Sequence, residues 1–168
     1  MSNSNEYTMK WHFIKPILFI MGGLSNIGTG ISYISGIIYN KLAYLPEAVY
    51  ETKRHPLDEI HPEDVYGIYG GALKAIDISY GLVTVALAII QIYICVLLFK
   101  MWMNSPKMFT LAYCVGLVVN LVYNITAACI MSEYMNIIMS TISFIMCSIF
   151  ARLDYIYYKK RDFMFIEY

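Results

Sequence analysis

The chain has 168 residues, of which 59% are hydrophobic and 14% are charged. Soluble domains average about 25% charged residues, and a soluble domain of this length could not hide so much apolar surface from water. The formal net charge is zero and the basic residues are scattered, so the sequence gives no sign of a nucleic-acid-binding surface. The composition therefore predicts a membrane protein.

Charged residues are missing from long stretches of the chain. None occurs in residues 16–40, and only Lys100, Lys107 and Glu133 occur in residues 78–151. A charged side chain at the centre of a bilayer costs about 2.5–3.5 kcal/mol. The charged positions therefore mark where the chain leaves the membrane, and they divide it into four crossings.

The predicted fold is an all-α, integral membrane, antiparallel four-helix bundle that forms a single domain, residues 1–168. The helices are predicted at about 11–39, 72–99, 108–131 and 134–158, with a long extracytoplasmic loop at 41–71. Residues 78–99 alone would span about 33 Å as a helix, which is enough to cross a hydrocarbon core of about 30 Å. Short connections between the last three helices favour antiparallel neighbours.

The placement of lysine and arginine predicts the orientation, because these residues are enriched in cytoplasmic segments. One side of the predicted bundle carries eight of them: Lys10, Lys15, Lys100, Lys107, Arg152, Lys159, Lys160 and Arg161. The other side carries four: Lys41, Lys53, Arg54 and Lys74. We therefore expect a protein of the cell membrane with both termini in the cytoplasm.

Small and polar residues recur every three or four positions in each predicted helix. This spacing is typical of helix contact faces in lipid, where small residues allow close approach and polar ones form hydrogen bonds. We call these rows the polar seams. They are Gly22, Ser25, Thr29, Ser32 and Gly36; Asp77, Gly81, Thr84, Ala88, Gln91 and Cys95; Gly116, Asn120, Asn124 and Ala127; and Glu133, Asn136, Ser140, Ser143 and Cys147.

Four amide side chains are predicted to lie at mid-membrane depth: Asn26, Gln91, Asn120 and Asn124. They have two interpretations: hydrogen bonds between helices, or a polar pathway for a solute. We favour the first, because one four-helix chain packs its own core and leaves little room for a pore.

Asp77 is the one acid within an otherwise intramembrane helix, and such a residue is a functional-site hypothesis by default. It is expected about one turn from the outer boundary, with Lys74 three residues before it, which favours a solvated acid paired with Lys74. Glu133 is predicted on the same side, and two close carboxylates could hold a cation or a proton. The candidate ligand or ion residues are Asp77, Glu133, Gln91, Asn120 and Asn124.

Residues 55–64 contain two histidines and four carboxylates. His55, Asp58 and His61 are weak candidates for a metal site, because their spacing matches no zinc module and lacks the HExxH arrangement. We favour a solvated acidic loop. The four cysteines lie in apolar runs and show no metal-binding spacing, so we expect buried thiols.

Sixteen tyrosines are many for this length. Those near the predicted outer boundary are Tyr39, Tyr44, Tyr66, Tyr69 and Tyr80, and the aromatic residues near the inner one are Trp102, Tyr155, Tyr157 and Tyr158. Both groups are interpreted as interfacial aromatic belts.

The run Tyr157-Tyr158-Lys159-Lys160-Arg161-Asp162-Phe163-Met164-Phe165 resembles the end of small four-pass bacterial inner-membrane proteins of unknown function. The turn Lys100…Pro106-Lys107 is similar to theirs as well. The resemblance implies a bacterial cytoplasmic-membrane protein without an assigned activity, and it carries over no site residues.

No nucleophile elbow, phosphate-binding loop, kinase signature or dinucleotide fingerprint occurs in the sequence. We therefore expect no cofactor and a non-catalytic accessory, assembly or regulatory subunit whose partners are the lipid bilayer and a membrane protein or further copies of itself. The alternative is a small oligomeric transporter or channel that uses the acidic residues Asp77 and Glu133 at the outer rim. A membrane enzyme with a metal at the 41–71 loop is a third hypothesis.

Overall fold

Four helices make up most of the part of the chain that the structure describes. The computed structural model describes residues 10–40, 62–132 and 134–160. The helices are α1 (Lys10–Ser35), α2 (Pro62–Phe99), α3 (Ser105–Met131) and α4 (Tyr134–Lys159), and a short 3-10 helix, Ile37–Asn40, follows α1. Every regular element in these ranges is helical, so the prediction of the all-α class is confirmed for them.

Each of the four helices contains a segment that is long and apolar enough to cross a membrane. These segments are Ile14–Ser35, Glu63–Phe99, Ser105–Met131 and Ile137–Lys159. Only 6% to 22% of the residues in their most apolar stretches are buried. Most of the apolar side chains therefore point outwards, where lipid rather than water would surround them. The chain is a multi-pass membrane protein.

Helix α1 ends earlier than predicted, at Ser35 instead of near residue 39. Gly36 adopts a left-handed backbone conformation with φ of 74°, and its N–H donates to the Tyr33 carbonyl oxygen at 3.2 Å. Glycine is favoured at this position because it has no Cβ atom to oppose a positive φ. The bend directs Tyr39 back into the protein, where it is 3% exposed.

Helix α2 begins earlier than predicted. Residues 62–69 were assigned to the loop 41–71, but the helix starts at Pro62 and is interrupted at Gly70, where φ is 81° and ψ is 179°. Proline at the first position and acidic residues in the first turn are favourable at a helix start. The Gly70-Gly71 pair therefore marks a kink inside a helix and does not belong to a loop.

The closest approach between helices is the crossing of α1 and α2. A Cβ atom placed on Gly81 would lie 2.6 Å from the Gly30 carbonyl oxygen, and one on Gly30 would lie 2.8 Å from the Gly81 carbonyl oxygen. The two backbones therefore touch at these glycines. Such contacts hold helices together in lipid through van der Waals packing.

The polar seam of α2 coincides with its buried face, since Asp77, Gly81, Ala88 and Cys95 are buried and Thr84 and Gln91 are half-buried. The seam predicted for α1 fits less well, since Gly36 is buried, Gly22, Thr29 and Ser32 are only half-buried, and none of the residues in closest contact with α2 belongs to it. The buried small residues within α1 are Gly23 and Gly30, whereas Ser25 is exposed. Small residues occur on several faces of α1, so their spacing could not identify the face that contacts α2.

Two clusters of buried side chains lie at opposite ends of the helices. The tyrosine cluster joins the end of α1, the start of α2 and the end of α3: Tyr33, Ile38, Tyr39, Val65, Leu73, Tyr123 and Ala127. The phenylalanine cluster joins the end of α2, the start of α3 and the end of α4: Ile94, Cys95, Leu98, Phe109 and Tyr158. Successive helices therefore lead from one cluster to the other.

Helix α4 is attached mainly at the phenylalanine cluster. It packs on α3, and the Lys15 ammonium of α1 forms an ion pair with the Asp154 carboxylate of α4. The Lys15 nitrogen also lies 4.5 Å from the centre of the Tyr157 ring. Among the α4 side chains that the structure describes, only Ala151 and Tyr158 are buried.

Candidate functional site

The Asp77 carboxylate is fully buried and accepts three hydrogen bonds from tyrosines. The Tyr39 and Tyr66 hydroxyls donate to Oδ2 at 2.6 Å and 3.1 Å, and the Tyr123 hydroxyl donates to Oδ1 at 2.8 Å. Asp77 is 0% exposed. Hydrogen bonds to an ionised acceptor are strong, and they replace the water that a buried carboxylate loses. We call these four residues the tyrosine cage.

The kink at Gly70 is what allows Tyr66 to reach Asp77. The two residues are 11 positions apart, and a straight helix would separate them by about 16 Å along its axis. A tyrosine side chain is too short to cover that distance. The change of direction at Gly70 brings the first segment of α2 back towards Asp77, where Val65 and Leu73 are both fully buried.

Aromatic packing holds Tyr123 in place. The Tyr80 ring of α2 stacks on the Tyr123 ring with a centroid distance of 4.0 Å and an interplanar angle of 16°. The Tyr33 ring of α1 meets Tyr123 edge to face at 5.2 Å. Offset stacks and edge-to-face pairs of this kind contribute about 0.5–1.5 kcal/mol each beyond the area they bury. The third donor of the cage is therefore fixed by both neighbouring helices.

The Tyr39 hydroxyl remains a donor at any physiological pH. Burial raises the pKa of the Tyr39 phenol far above its ordinary value, and the hydrogen bond to the Asp77 carboxylate adds to this effect. Tyr39 therefore keeps its proton. If Asp77 itself took up a proton, its O–H would become a donor, and one tyrosine hydroxyl could accept from it while the others still donate.

The prediction of a solvated Asp77 paired with Lys74 is wrong. The Lys74 ammonium lies 5.8 Å from the centre of the Tyr66 ring, and the one ion pair within the described ranges joins Lys15 to Asp154. Two of the three residues that do contact Asp77, Tyr39 and Tyr66, are interpreted from the sequence as members of an aromatic belt, and the third, Tyr123, is not singled out. One feature of the sequence could have indicated the cage: several tyrosines are predicted near the same membrane boundary as Asp77.

A central cavity of about 470 Å³ lies between α1, α2 and α3. Its polar lining comes from Ser25, Asn26, Thr84, Gln91 and Asn120, and its aromatic lining from Phe19, Tyr80 and Tyr113. Gln91 donates through Nε2 to the Phe19 carbonyl oxygen at 3.1 Å, so this amide does join two helices. The other candidate amide in the lining, Asn120, is exposed.

A second cavity of about 250 Å³ lies between α3 and α4, and we call it the α3–α4 groove. Asn120, Asn124, Ser140, Ser143 and Cys147 provide its polar lining. Asn124 donates through Nδ2 to the Asn120 carbonyl oxygen at 2.7 Å and also to the Asn120 side-chain oxygen. Both partners lie on α3, so these bonds do not join helices. The groove shares Leu117 and Asn120 with the central cavity.

Several predicted site residues lie outside the described ranges: Glu133, His55, Asp58 and His61. The proximity of Glu133 to Asp77 and the weak metal site at His55, Asp58 and His61 therefore stay predictions. Within the described residues, no group of three or more His, Cys, Asp or Glu residues could hold a metal ion. The thiols of Cys95, Cys114, Cys129 and Cys147 are free, and Cys114 and Cys129 are exposed rather than buried as predicted.

Comparison with known proteins identifies no family. No protein-family model, curated protein or solved structure matches the chain. The tyrosine cage and the two polar cavities are therefore the basis for any proposal about function.

Proposed function

We propose that this chain is a non-catalytic accessory, assembly or regulatory subunit of a membrane complex, and that it binds a partner helix along the α3–α4 groove. The observation that carries the proposal is the exposure of Asn120 and Ser143, two polar side chains that line this groove midway along apolar helices. The partner is either another membrane protein or a second copy of this chain.

Lipid provides the energetic reason for a partner. A polar side chain that faces hydrocarbon has no water with which to form hydrogen bonds, so it gains by contacting another helix. Helix α4 is open to such a contact, because Ile142 and Ile145 beside Ser143 are more than half exposed. A helix with small and hydroxyl-bearing residues fits this surface, since it allows close approach and offers hydrogen-bond partners.

Copurification of the tagged full-length chain from native membranes, extracted in lipid nanodiscs, tests this proposal. We expect a stoichiometric partner or a second copy. Replacing Ser143 by Leu removes one hydrogen bond of about 0.6–2 kcal/mol, so the apparent affinity should fall about three- to thirtyfold. The matched control is Ile142→Leu, a neighbouring change on α4 that removes no polar group. A monomer that carries no partner would contradict the proposal.

The same proposal includes the membrane arrangement. It is an antiparallel four-helix bundle in the cell membrane, with both termini in the cytoplasm and the segment 41–61 outside. Two observations support it: the helices lead alternately from one buried cluster to the other, and basic residues are more numerous on the side of the termini.

A small oligomeric transporter or channel is the second candidate function. It is favoured by the link between the tyrosine cage and the central cavity, since Tyr80 lines the cavity and stacks on Tyr123 of the cage. A carboxyl group beside a polar cavity could carry a proton with a solute. Proton flux into proteoliposomes that Asp77→Asn abolishes and Tyr93→Phe preserves would support this function, and its absence from the unaltered protein would count against it.

A further inference from the structure

We propose that the central cavity binds the polar end of an uncharged lipid whose head carries both hydroxyl and carbonyl groups, as in the mono- and diacylglycerols. This site borders the α3–α4 groove, with which it shares Leu117 and Asn120, but it does not depend on a protein partner. The acyl chains of the bound lipid would extend from the cavity into the surrounding bilayer.

The first argument is that the cavity contains polar groups whose hydrogen bonds are not satisfied. Within the described part of the chain, Ser25, Asn26 and Thr84 have no hydrogen-bond partner, and Gln91 bonds only the Phe19 carbonyl oxygen. An amide or hydroxyl that is left unpaired in an apolar medium costs several kcal/mol. A bound molecule that supplies the missing partners would recover that cost.

The second argument concerns charge. The described residues that line the cavity include no acidic or basic side chain. A charged head group would lose its hydration there without gaining a counter-charge, so an uncharged ligand is favoured. Amide side chains both donate and accept hydrogen bonds, and the hydroxyls of Ser25 and Thr84 do the same. The matching head group therefore needs donors and acceptors, which a hydroxyl together with ester carbonyls provides.

The third argument concerns access and size. Helices α1 and α3 meet at two levels, through Tyr33 and Tyr123 at 5.2 Å and through Phe19 and Phe109 at 4.5 Å between ring centres. The cavity lies between these levels. Leu18 on α1 is 58% exposed, and Asn120 on α3 is also exposed, so the cavity opens sideways into the surrounding medium. Its volume of about 470 Å³ is within the range of small-molecule sites, about 300–1,000 Å³.

Photolabelling of the full-length chain in proteoliposomes tests the site. The probe is a diacylglycerol analogue that carries a diazirine near its head, and labelled peptides are mapped by mass spectrometry. We expect labelling within residues 18–26, 80–91 and 112–120. Unlabelled dioctanoylglycerol should compete for these positions, whereas phosphatidic acid with the same chains should not.

Two glycine variants provide a matched comparison. Gly116 lines the cavity, and a Cβ atom on it would meet nothing within 4 Å, so Gly116→Leu should fill the cavity without a clash at Cβ. Gly28 has the same open surroundings but does not line the cavity, so Gly28→Leu is the control. We expect at least a tenfold loss of labelling in Gly116→Leu and none in Gly28→Leu.

Three outcomes would overturn the proposal. They are labelling spread over the exposed apolar faces of all four helices, equal labelling in both glycine variants, and equal competition by phosphatidic acid. The first would mean that the probe binds the lipid-facing surface of the helices and not the cavity. If Gly116→Leu does not give a folded protein, Gln91→Leu provides the second test, because it removes an amide that would bind the head group; unchanged labelling there would also overturn the proposal.

Discussion

Among the described residues, no lysine or arginine forms an ion pair with the buried Asp77 carboxylate, and the ion pair that is present joins Lys15 of α1 to Asp154 of α4. The partners of the Asp77 carboxylate are three neutral hydroxyl groups. Removing one donor leaves a buried carboxyl oxygen less satisfied, which costs about 1–3 kcal/mol. The cage is therefore a stabilising feature in which each tyrosine contributes a hydroxyl donor to the carboxyl group in addition to the packing of its ring.

Replacing Tyr123 by Phe should lower the free energy of unfolding by about 1–3 kcal/mol, because it removes one donor and keeps the ring. The measurement is thermal or denaturant unfolding of the full-length chain in detergent micelles. Tyr93→Phe is the control, because Tyr93 is 58% exposed and forms no hydrogen bond within the described residues.

The same tyrosine should be coupled to Asp77. In Asp77→Asn one carboxyl oxygen is replaced by an NH2 group that cannot accept, so adding Tyr123→Phe should cost less than it does in the unaltered protein. A double-mutant cycle should give a coupling free energy of about 1 kcal/mol or more. Additive effects would mean that the Tyr123 hydroxyl does not bind the carboxylate in the folded protein.

Gly70 has a backbone conformation that is essentially confined to glycine, with φ of 81° and ψ of 179°. A Cβ atom there would meet nothing within 4 Å, so Gly70→Ala introduces strain in the backbone and no clash. We expect a loss of about 1–3 kcal/mol in unfolding free energy. The measurement is again unfolding in detergent micelles.

Two neighbours serve as controls for Gly70→Ala. Gly67 and Gly71 also have open surroundings but lack a positive φ. Alanine at either position should stabilise the helix by about 0.5–1 kcal/mol. Equal effects at all three positions would show that α2 is straight at Gly70, and Tyr66 could then not reach Asp77.

At the scale of helices, the contact of α1 with α2 depends on two glycines. Gly81→Ala should separate the helices and destabilise the protein by about 1–3 kcal/mol, because its Cβ atom would lie 2.6 Å from the Gly30 carbonyl oxygen. Gly28→Ala is the control on α1, where a Cβ atom meets nothing within 4 Å. Unfolding in micelles distinguishes the two. If both variants are equally stable, the backbones do not touch at Gly81.

Sequence patterns identified the buried face of α2 but not that of α1. The polar residues of α2 lie mostly on one face, so their spacing selected Asp77, Gly81 and Gln91 correctly. In α1 small residues lie on several faces, and the contact is decided by which glycines match Gly81 across the crossing. That match is a property of two helices together and cannot be read from either one.

At the scale of the whole molecule, the four apolar segments were predictable because each contains a long stretch with few charged residues. The tyrosine cage was not. Its members come from the turn after α1, both sides of the α2 kink and the end of α3, and hydrophobic periodicity says nothing about such long-range contacts. The kink could not be predicted from the sequence either, because a Gly-Gly pair is typical of loops as well as of interrupted helices.

The orientation of the whole molecule is tested by a reporter inserted at residue 60. We expect it outside the cytoplasm, because the lysines and arginines are more numerous on the side of the termini. Paired fusions of alkaline phosphatase and a fluorescent protein give opposite signals on the two sides of the membrane. A cytoplasmic signal at residue 60 would reverse the proposed topology, and a fusion at the C-terminus is the control for the opposite side.

The origin of the cage in four separate parts of the chain also has a consequence for how the protein is made. Ribosomes synthesise α2 before α3, so the Asp77 carboxyl enters the bilayer before the Tyr123 hydroxyl exists. During that interval only Tyr39 and Tyr66 can donate to the carboxyl, so the second crossing is less stable in the bilayer than it is with the complete cage. The arrival of α3 completes the set. Synthesis of the third crossing therefore supplies the last hydrogen-bond donor that stabilises Asp77, and with it the second crossing, in the membrane.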